Sequence, residues 1–304
     1  QLFRELLYRR LEQHFSPTEI ATLHQRASVW LAANRFFEEA IDHALLSGDM
    51  SAAINILSAQ GVTLVNNERW LLIERLLNKF PPTAINENPK LLLLLAWLTL
   101  SRMKFAQVDI FREQLEVFSD AASLTSEEKR FLNCSLHTFS AIKFNWTTEY
   151  EKAIYHAQQA LSNTRAEWGL MHGYLWIHMG TAAYQLKGGD AGLTILGKDN
   201  HHANDILNKA RKKIAIGFVD WMSGDLLKLT HTTQNGIELV DGLGLSSTDS
   251  MLYYLAGCAF YQRNDFEMAE RHFSAVLNLK HGYQIQAYIF SILGQALIYQ
   301  ARNR

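Results

Sequence analysis

All four prolines, Pro17, Pro81, Pro82 and Pro89, fall in the first third of this 304-residue chain, and none follows up to residue 304. A proline ring removes a backbone donor and clashes with the carbonyl four residues back, so its absence over so long a stretch permits one helix after another. Helix starts are marked by strings in which a small polar side chain and a Glu three residues later can satisfy each other's free backbone N–H groups. Four such strings occur: Ser16-Pro17-Thr18-Glu19, Thr125-Ser126-Glu127-Glu128, Thr148-Glu149-Tyr150-Glu151 and Asn264-Asp265-Phe266-Glu267. Small-residue breaks at Gly48-Asp49, Gly188-Gly189-Asp190 and Gly224-Asp225 mark stops. With no period-2 alternation of apolar residues, the expected class is all-α.

Composition narrows what such helices can do. A hydrophobic share of 48% against 19% charged can bury a sizeable core and excludes general disorder. The longest apolar run, Leu91 to Leu100, is about half of what a membrane-spanning helix needs and reads as a buried helix. A net charge of −1 leaves no electrostatic footprint for nucleic acid or an anionic membrane. Cys134 and Cys258 lie far apart with no ligand-spaced partners, so neither a disulfide framework nor a zinc module is indicated, and a reducing cytoplasm is expected.

A repeat emerges around Gly257. Tyr253-x-x-x-Gly257-x-x-Phe260, followed by Phe266, Ala269, Phe273 and Leu277, resembles the tetratricopeptide pattern, in which small residues let two helices of a hairpin approach closely. The same register puts the close-approach residue at Ala96, Ala141, Gly180, Gly217, Gly257 and Gly294, at separations of 45, 39, 37, 40 and 37. The resemblance implies a right-handed superhelix of about six antiparallel helix pairs. Between Asp190 and Asn200, Gly192 and Gly197 each cost about 1 kcal/mol relative to Ala in a helix interior, which predicts a frayed helix or loop. The last first helix is expected from Gln284 to Arg304, with no partner after it.

The first third carries a second likeness. Thr22-Leu-His-Gln-Arg-Ala-Ser-Val-Trp-Leu-Ala-Ala-Asn34, with Glu39-Ala-Ile-Asp-His-Ala-Leu45, Gly48-Asp49 and Ala52-Ala53, resembles a stretch of the large ATP-dependent LuxR-type transcription activators, of which the MalT-type maltose activators are the best known. Leu2-Phe-Arg-Glu-Leu-Leu-Tyr-Arg-Arg-Leu-Glu12 looks like the end of that family's winged-helix segment, and Phe80-Pro81-Pro82 with Asn88-Pro89 and Trp97 looks like its entry to the superhelix. The implied organisation is the end of a winged helix over 1–17, helical linker or entry repeats over 18–88, and an effector-binding superhelix over 89–304. Position 1 already sits inside a helical pattern, so the chain is expected to be the middle of a longer regulator. In the family an N-terminal ATPase drives oligomerisation, the superhelix receives the inducer and a C-terminal helix-turn-helix binds DNA. No phosphate loop and no basic recognition helix occur here, so no cofactor is expected in this chain and ATP belongs to the family's ATPase part.

Chemistry-bearing patterns are few. Adjacent His201 and His202 would point about 100° apart on a helix and cannot jointly chelate a metal. His24 and His43 sit in the family-like strings, where packing is expected. No G-x-S-x-G elbow and no H-E-x-x-H occur, so the chain is not expected to be an enzyme. Lys209-Ala-Arg211-Lys212-Lys213 reads as a solvated helix face in which Arg211 alone projects inward, with an anionic group of an effector as the alternative partner for it.

In tetratricopeptide arrays positions two, five, nine and twelve of each first helix face the groove. Position twelve places Tyr184, Trp221 and Tyr261 in three consecutive repeats, flanked by Tyr174, Phe218 and Tyr254, with Trp97 earlier and Arg211 nearby. Two readings stand: these aromatics pack between helices, or, as the resemblance implies, they line a trough for a small-molecule inducer or a regulatory protein. A protein-interaction scaffold without a small-molecule effector is the alternative; the carboxylate clamp of peptide-binding members is absent, since positions five and nine read Thr138 and Ile142, Ile177 and Thr181, Ile214 and Phe218. Direct contact with nucleic acid or membrane is not expected of this segment, and self-association is implied for the full regulator. The isolated chain should therefore show neither a magnesium-dependent ATPase rate above background nor a footprint on any promoter; either would show the module boundaries are misread.

Overall fold

Helix pairs here are built around one recurring triplet: a small or slim buried residue, a left-handed residue seven positions later, and a second buried residue five positions after that. The computed structural model describes residues 9–122, 124–188, 190–198, 205–242, 246–279 and 285–303. Among these the chain is helical with no strand. In order come α1 (Pro17–Ala33), α2 (Phe37–Leu46), α3 (Met50–Asn66), α4 (Trp70–Leu77), α5 (Pro82–Glu87), α6 (Pro89–Ser101), α7 (Phe105–Glu116), α8 (Ser126–Trp146) and α9 (Tyr150–Leu161). They are followed by α10 (Gly169–Lys187), α11 (Ala191–Lys198), α12 (Ile206–Met222), α13 (Leu226–Val240), α14 (Ser246–Gln262), α15 (Phe266–Leu277) and α16 (Ile285–Arg302).

The triplet reads Ala96–Met103–Val108, Ala141–Thr148–Ala153, Gly217–Gly224–Leu229 and Gly257–Asn264–Ala269, and its outer members are buried throughout. It also reads Ser28–Arg35–Ala40 and Gly61–Glu68–Ile73, two pairs outside the register that runs from Ala96 to Gly294. Each middle residue has a φ between 56° and 76°. After it the chain folds back at once: Phe36, Lys104, Glu149, Asp225 and Asp265 donate their N–H to the carbonyl five residues earlier. That bond satisfies a carbonyl the helix end would otherwise leave orphaned.

This turn corrects two of the four expected capping boxes. Ser16–Glu19 and Thr125–Glu128 form in full, with both reciprocal bonds. Thr148 and Asn264 are instead consumed as the left-handed residue, and the cap passes to the next position: Asp265 accepts from the Met268 N–H, while Glu149 makes no side-chain cap. The expected fraying after Asp190 is also corrected over the described residues, where Ala191–Lys198 is a helix. Gly192 is the close-approach residue of that pair; a Cβ there would lie 2.7 Å from the Gly180 carbonyl oxygen. Asn200, His201, His202, Gly189 and most of the Leu2–Glu12 string lie outside the described residues.

Two compact units result. One is the chain up to Leu64 with Leu72–Leu94; the other is Val65–Leu71 with Leu95 onward. In the first, Ser28 donates to the Ala40 carbonyl at 2.8 Å and joins α1 to α2, and the Nδ1 atoms of His24 and His43 meet at 2.7 Å. An equivalent pair, His137 and His156, bridges α8 and α9 in the second unit at 2.8 Å. One ring of each pair must be the donor and the other the acceptor, which a shared neutral state provides. In the second unit substantial helix contacts join neighbours or next neighbours along the chain. Phe273 lies between Gly257 of α14 and Gly294 of α16, and a Cβ on either would sit 2.5 Å from the ring. Gly257→Ala should therefore lower stability by about 1–3 kcal/mol in urea unfolding, although Ala gains about 1 kcal/mol in helix propensity. An unchanged or raised midpoint would contradict this packing.

Candidate functional site

Helix N-termini must find acceptors for their first N–H groups, and two helices of the second unit find them far away in sequence. Trp168, which precedes α10, makes no side-chain cap. The Leu170 N–H instead donates to Asn66 Oδ1 at 2.8 Å. At the start of α14 the Ser247 and Thr248 N–H groups donate to Glu68 Oε2 at 2.9 and 3.3 Å, and the Thr248 hydroxyl donates to Oε1 at 2.8 Å. Between them stands Arg211 of α12, which donates to Glu68 Oε1 at 3.2 Å and to the Asn66 carbonyl at 2.8 Å. Trp70 completes the turn, its indole N–H 3.4 Å from Ser247 Oγ.

Both side chains of the Arg211–Glu68 pair are 2% exposed. Burial pulls the Arg211 guanidinium below its ordinary value and Glu68 beside it pushes back. Removing two charges from water costs several kcal/mol per ion, so the pair persists only because its lone pairs and protons find other partners as well.

Next to this cluster is a cavity of about 430 Å³, within the range of small-molecule sites. First helices line it with Tyr174, Ile177, His178 and Thr181 from α10, with Arg211, Ile214 and Phe218 from α12, and with Thr248 and Met251 from α14. The left-handed turn residues Glu68, Met103 and Thr148 line it too, with Phe105, Asn145, Trp146 and Tyr150. The wall is apolar and aromatic with polar groups at two places. One is the Arg211–Glu68 cluster. The other is Asn145, whose amide nitrogen lies 2.9 Å from His178 Nδ1 and 3.1 Å from Thr181 Oγ1. An amide nitrogen can only donate, so His178 Nδ1 accepts and its proton is on Nε2. Burial pushes His178 down to about 4. Burial also raises Tyr174, with the Glu68 charge adding to it.

Comparison with known proteins enters at this point. No family model matches the chain, and no solved structure matches it. Curated relatives do. The transcriptional regulator MalT of Cronobacter sakazakii is 34% identical over 115 residues, 38% of this chain and 13% of its own length. That of Yersinia pestis is 30% identical over 127 residues, 42% and 14% respectively. The serine/threonine-protein kinase PknK of Mycobacterium tuberculosis is 34% identical over 97 residues, 32% of this chain and 9% of its own length. About two fifths of this chain is similar to MalT-type regulators. The matched part spans about a seventh or less of those relatives.

The residues singled out in sequence divide into two groups. Tyr174, Arg211 and Phe218 come together on the cavity wall, at positions two and nine of their helices. Tyr184, Trp221 and Tyr261 do not line the cavity; at position twelve Tyr184 and Trp221 reach the following first helix and Tyr261 the second helix of its own pair. The Tyr184 hydroxyl donates to the Met222 carbonyl at 2.8 Å, Trp221 stands edge-on to Tyr254, and Tyr261 lies against Phe266. Tyr254 belongs to the core with Phe273, and the exposed Phe290 stacks on it. Trp97 is fully buried, with its indole N–H on Ser135 Oγ at 3.1 Å and its ring behind Tyr174, so it packs helices instead of facing the cavity.

Glu68 and His178 were missed. Glu68 is seven positions after Gly61, as Thr148 is after Ala141, so the turn spacing marks its place while nothing local marks its partner. No group of three potential metal ligands occurs among the described residues. Burial pushes both cysteine thiols up to about 11, which leaves them unreactive.

The depressed His178 sets a pH dependence. Its folded-state value lies below its unfolded value near 6.5, so the unfolded chain binds more protons between them and stability falls as pH falls. Its contribution is complete above about pH 6.5 and is lost toward pH 4, a difference of about 3 kcal/mol relative to His178→Asn. Urea unfolding of both proteins from pH 7.5 to 4 checks this; parallel curves would contradict it.

Proposed function

We propose that the chain is the signal-receiving module of a MalT/LuxR-type transcription regulator, and that the second unit's cavity holds its effector. The observation that carries this reading is the cavity itself: equivalent inner positions of successive first helices, Tyr174 and Ile177, Arg211, Ile214 and Phe218, and Met251, converge on one space of about 430 Å³. An apolar, aromatic wall with a few fixed polar groups suits a small molecule that has apolar faces and polar edges. The similarity to MalT supplies the regulatory setting, and PknK shows that a related segment also occurs in a protein named for another activity. The module itself is non-catalytic and carries no cofactor; ATP hydrolysis and promoter binding belong to other parts of the regulator. A small effector acts by binding the oligomerisation-competent state more tightly than the resting state, because equal affinity for both shifts no equilibrium.

Mass spectrometry of small molecules carried through purification, followed by calorimetric titration of the compound found, tests the reading. Phe218→Ala and Ile177→Ala enlarge the cavity and should weaken binding at least ten-fold, while Leu227→Ala, at an exposed position of α13, should leave it unchanged. Binding indifferent to both wall variants would move the effector elsewhere. A co-purifying protein held through the same wall would favour the scaffold reading.

A further inference from the structure

Glu68 occupies a place shaped for a carboxylate. Each oxygen receives two donors: Arg211 and the Thr248 hydroxyl on Oε1, the Ser247 and Thr248 N–H groups on Oε2. The first amides of a helix carry a partial positive charge and point at the same spot. A second feature is independent of the helix end. Arg211 is 2% exposed, yet its Nε–H has no hydrogen-bond partner among the described residues, so the guanidinium carries unused donor capacity inside a closed site. Leaving such a donor unmet is costly. The cluster opens on the cavity, since Glu68, Arg211, Ser247 and Thr248 all line it.

Nothing in the repeat requires an acid there. The equivalent turn residues are Arg35, Met103, Thr148, Gly224 and Asn264. Buried ion pairs of this kind add little net stability over apolar residues of the same size, whereas losing one partner strands the other. Such a pair is well suited to exchange, because a second carboxylate can take over every bond that Glu68 gives up.

We propose that Arg211, Thr248 and the first amides of α14 form a carboxylate-binding site, that the Asn66–Trp70 turn fills it as an internal ligand, and that an external carboxylate with an apolar body entering the cavity displaces Glu68. Ligand capture and release of the turn are then one event, and the apparent affinity is the intrinsic affinity reduced by the fraction of molecules with Glu68 out. The proposal rests on reading the cavity as a ligand site and adds the chemical class.

Acetate is the fragment that Glu68→Ala removes, so it serves as the probe. Melting temperatures of the whole chain are followed in sodium acetate, with sodium chloride and sodium sulfate at matched ionic strength and acetamide as controls. For Glu68→Ala a saturable rise in acetate alone is expected, with a midpoint at least ten-fold below that of the unaltered protein, and with loss of the effect in Glu68→Ala/Arg211→Met. Should Glu68→Ala fail to fold, Glu68→Gln keeps the turn docked through a weaker neutral acceptor and should still bind acetate several-fold more tightly than the unaltered protein. An acetate midpoint equal in variant and parent, or no acetate-specific rise in either variant, would overturn the proposal. A rise as large in sulfate would overturn its assignment to a carboxylate. In each case the wall variants of the cavity still decide separately whether the cavity binds an effector.

Discussion

The second unit depends on one turn supplying acceptors to helices that begin more than a hundred residues later. Asn66 takes an N–H from α10, Glu68 takes two from α14, and Arg211 of α12 holds both. Other helix starts are closed locally, by Ser16 and Thr125 with their glutamates and by Asp205, Asp225 and Asp265, while those at Phe36, Lys104 and Glu149 make no side-chain cap. At Trp168, where a local cap is absent, Asn66 takes its place, because an orphaned buried N–H is unfavourable to keep. Within the second unit this turn is bonded to the starts of α10 and α14 and to α12 between them.

The same contacts give the cavity its character. Its body comes from inner positions of α10 and α12, which are aromatic and aliphatic, and its polar ends come from Arg211 with Glu68 and from Asn145 with His178. Low local polarity has opposite effects at the two ends. It keeps His178 neutral, with an accepting Nδ1, and it strengthens the attraction between Arg211 and Glu68 while making either one alone untenable. On the proposed reading, ligand recognition at this site works by exchange of partners, since no charged group there can be left bare.

Packing follows the distribution of small residues. Gly257 and Gly294 hold the Phe273 ring between two helices, and Gly192 faces the Gly180 carbonyl where any side chain would collide. The helix propensity lost at Gly192 is a fraction of what close approach returns in buried area, which explains why a residue that weakens an isolated helix stands inside one here.

By itself the sequence determined the all-α class, the close-approach residues from Ala96 to Gly294 and two of the four capping boxes, because helix period, proline absence and reciprocal capping act within a few residues. The resemblance to tetratricopeptide arrays also put Tyr174, Arg211 and Phe218 on an inner face, through the groove positions it assigns to each first helix. Only the tertiary structure decided the rest. Thr148 and Asn264 are left-handed because a second helix follows at once, a constraint no capping pattern contains. Tyr184 and Trp221 turn to the next helix pair, and Tyr261 to Phe266 of its own pair, because a long ring at the last turn reaches whatever packs beyond it. Arg211 lies between a helix N-terminus and Glu68, 143 residues away. Charge pairing at that separation depends on how the chain returns on itself, and neither residue carries a local sign of the other.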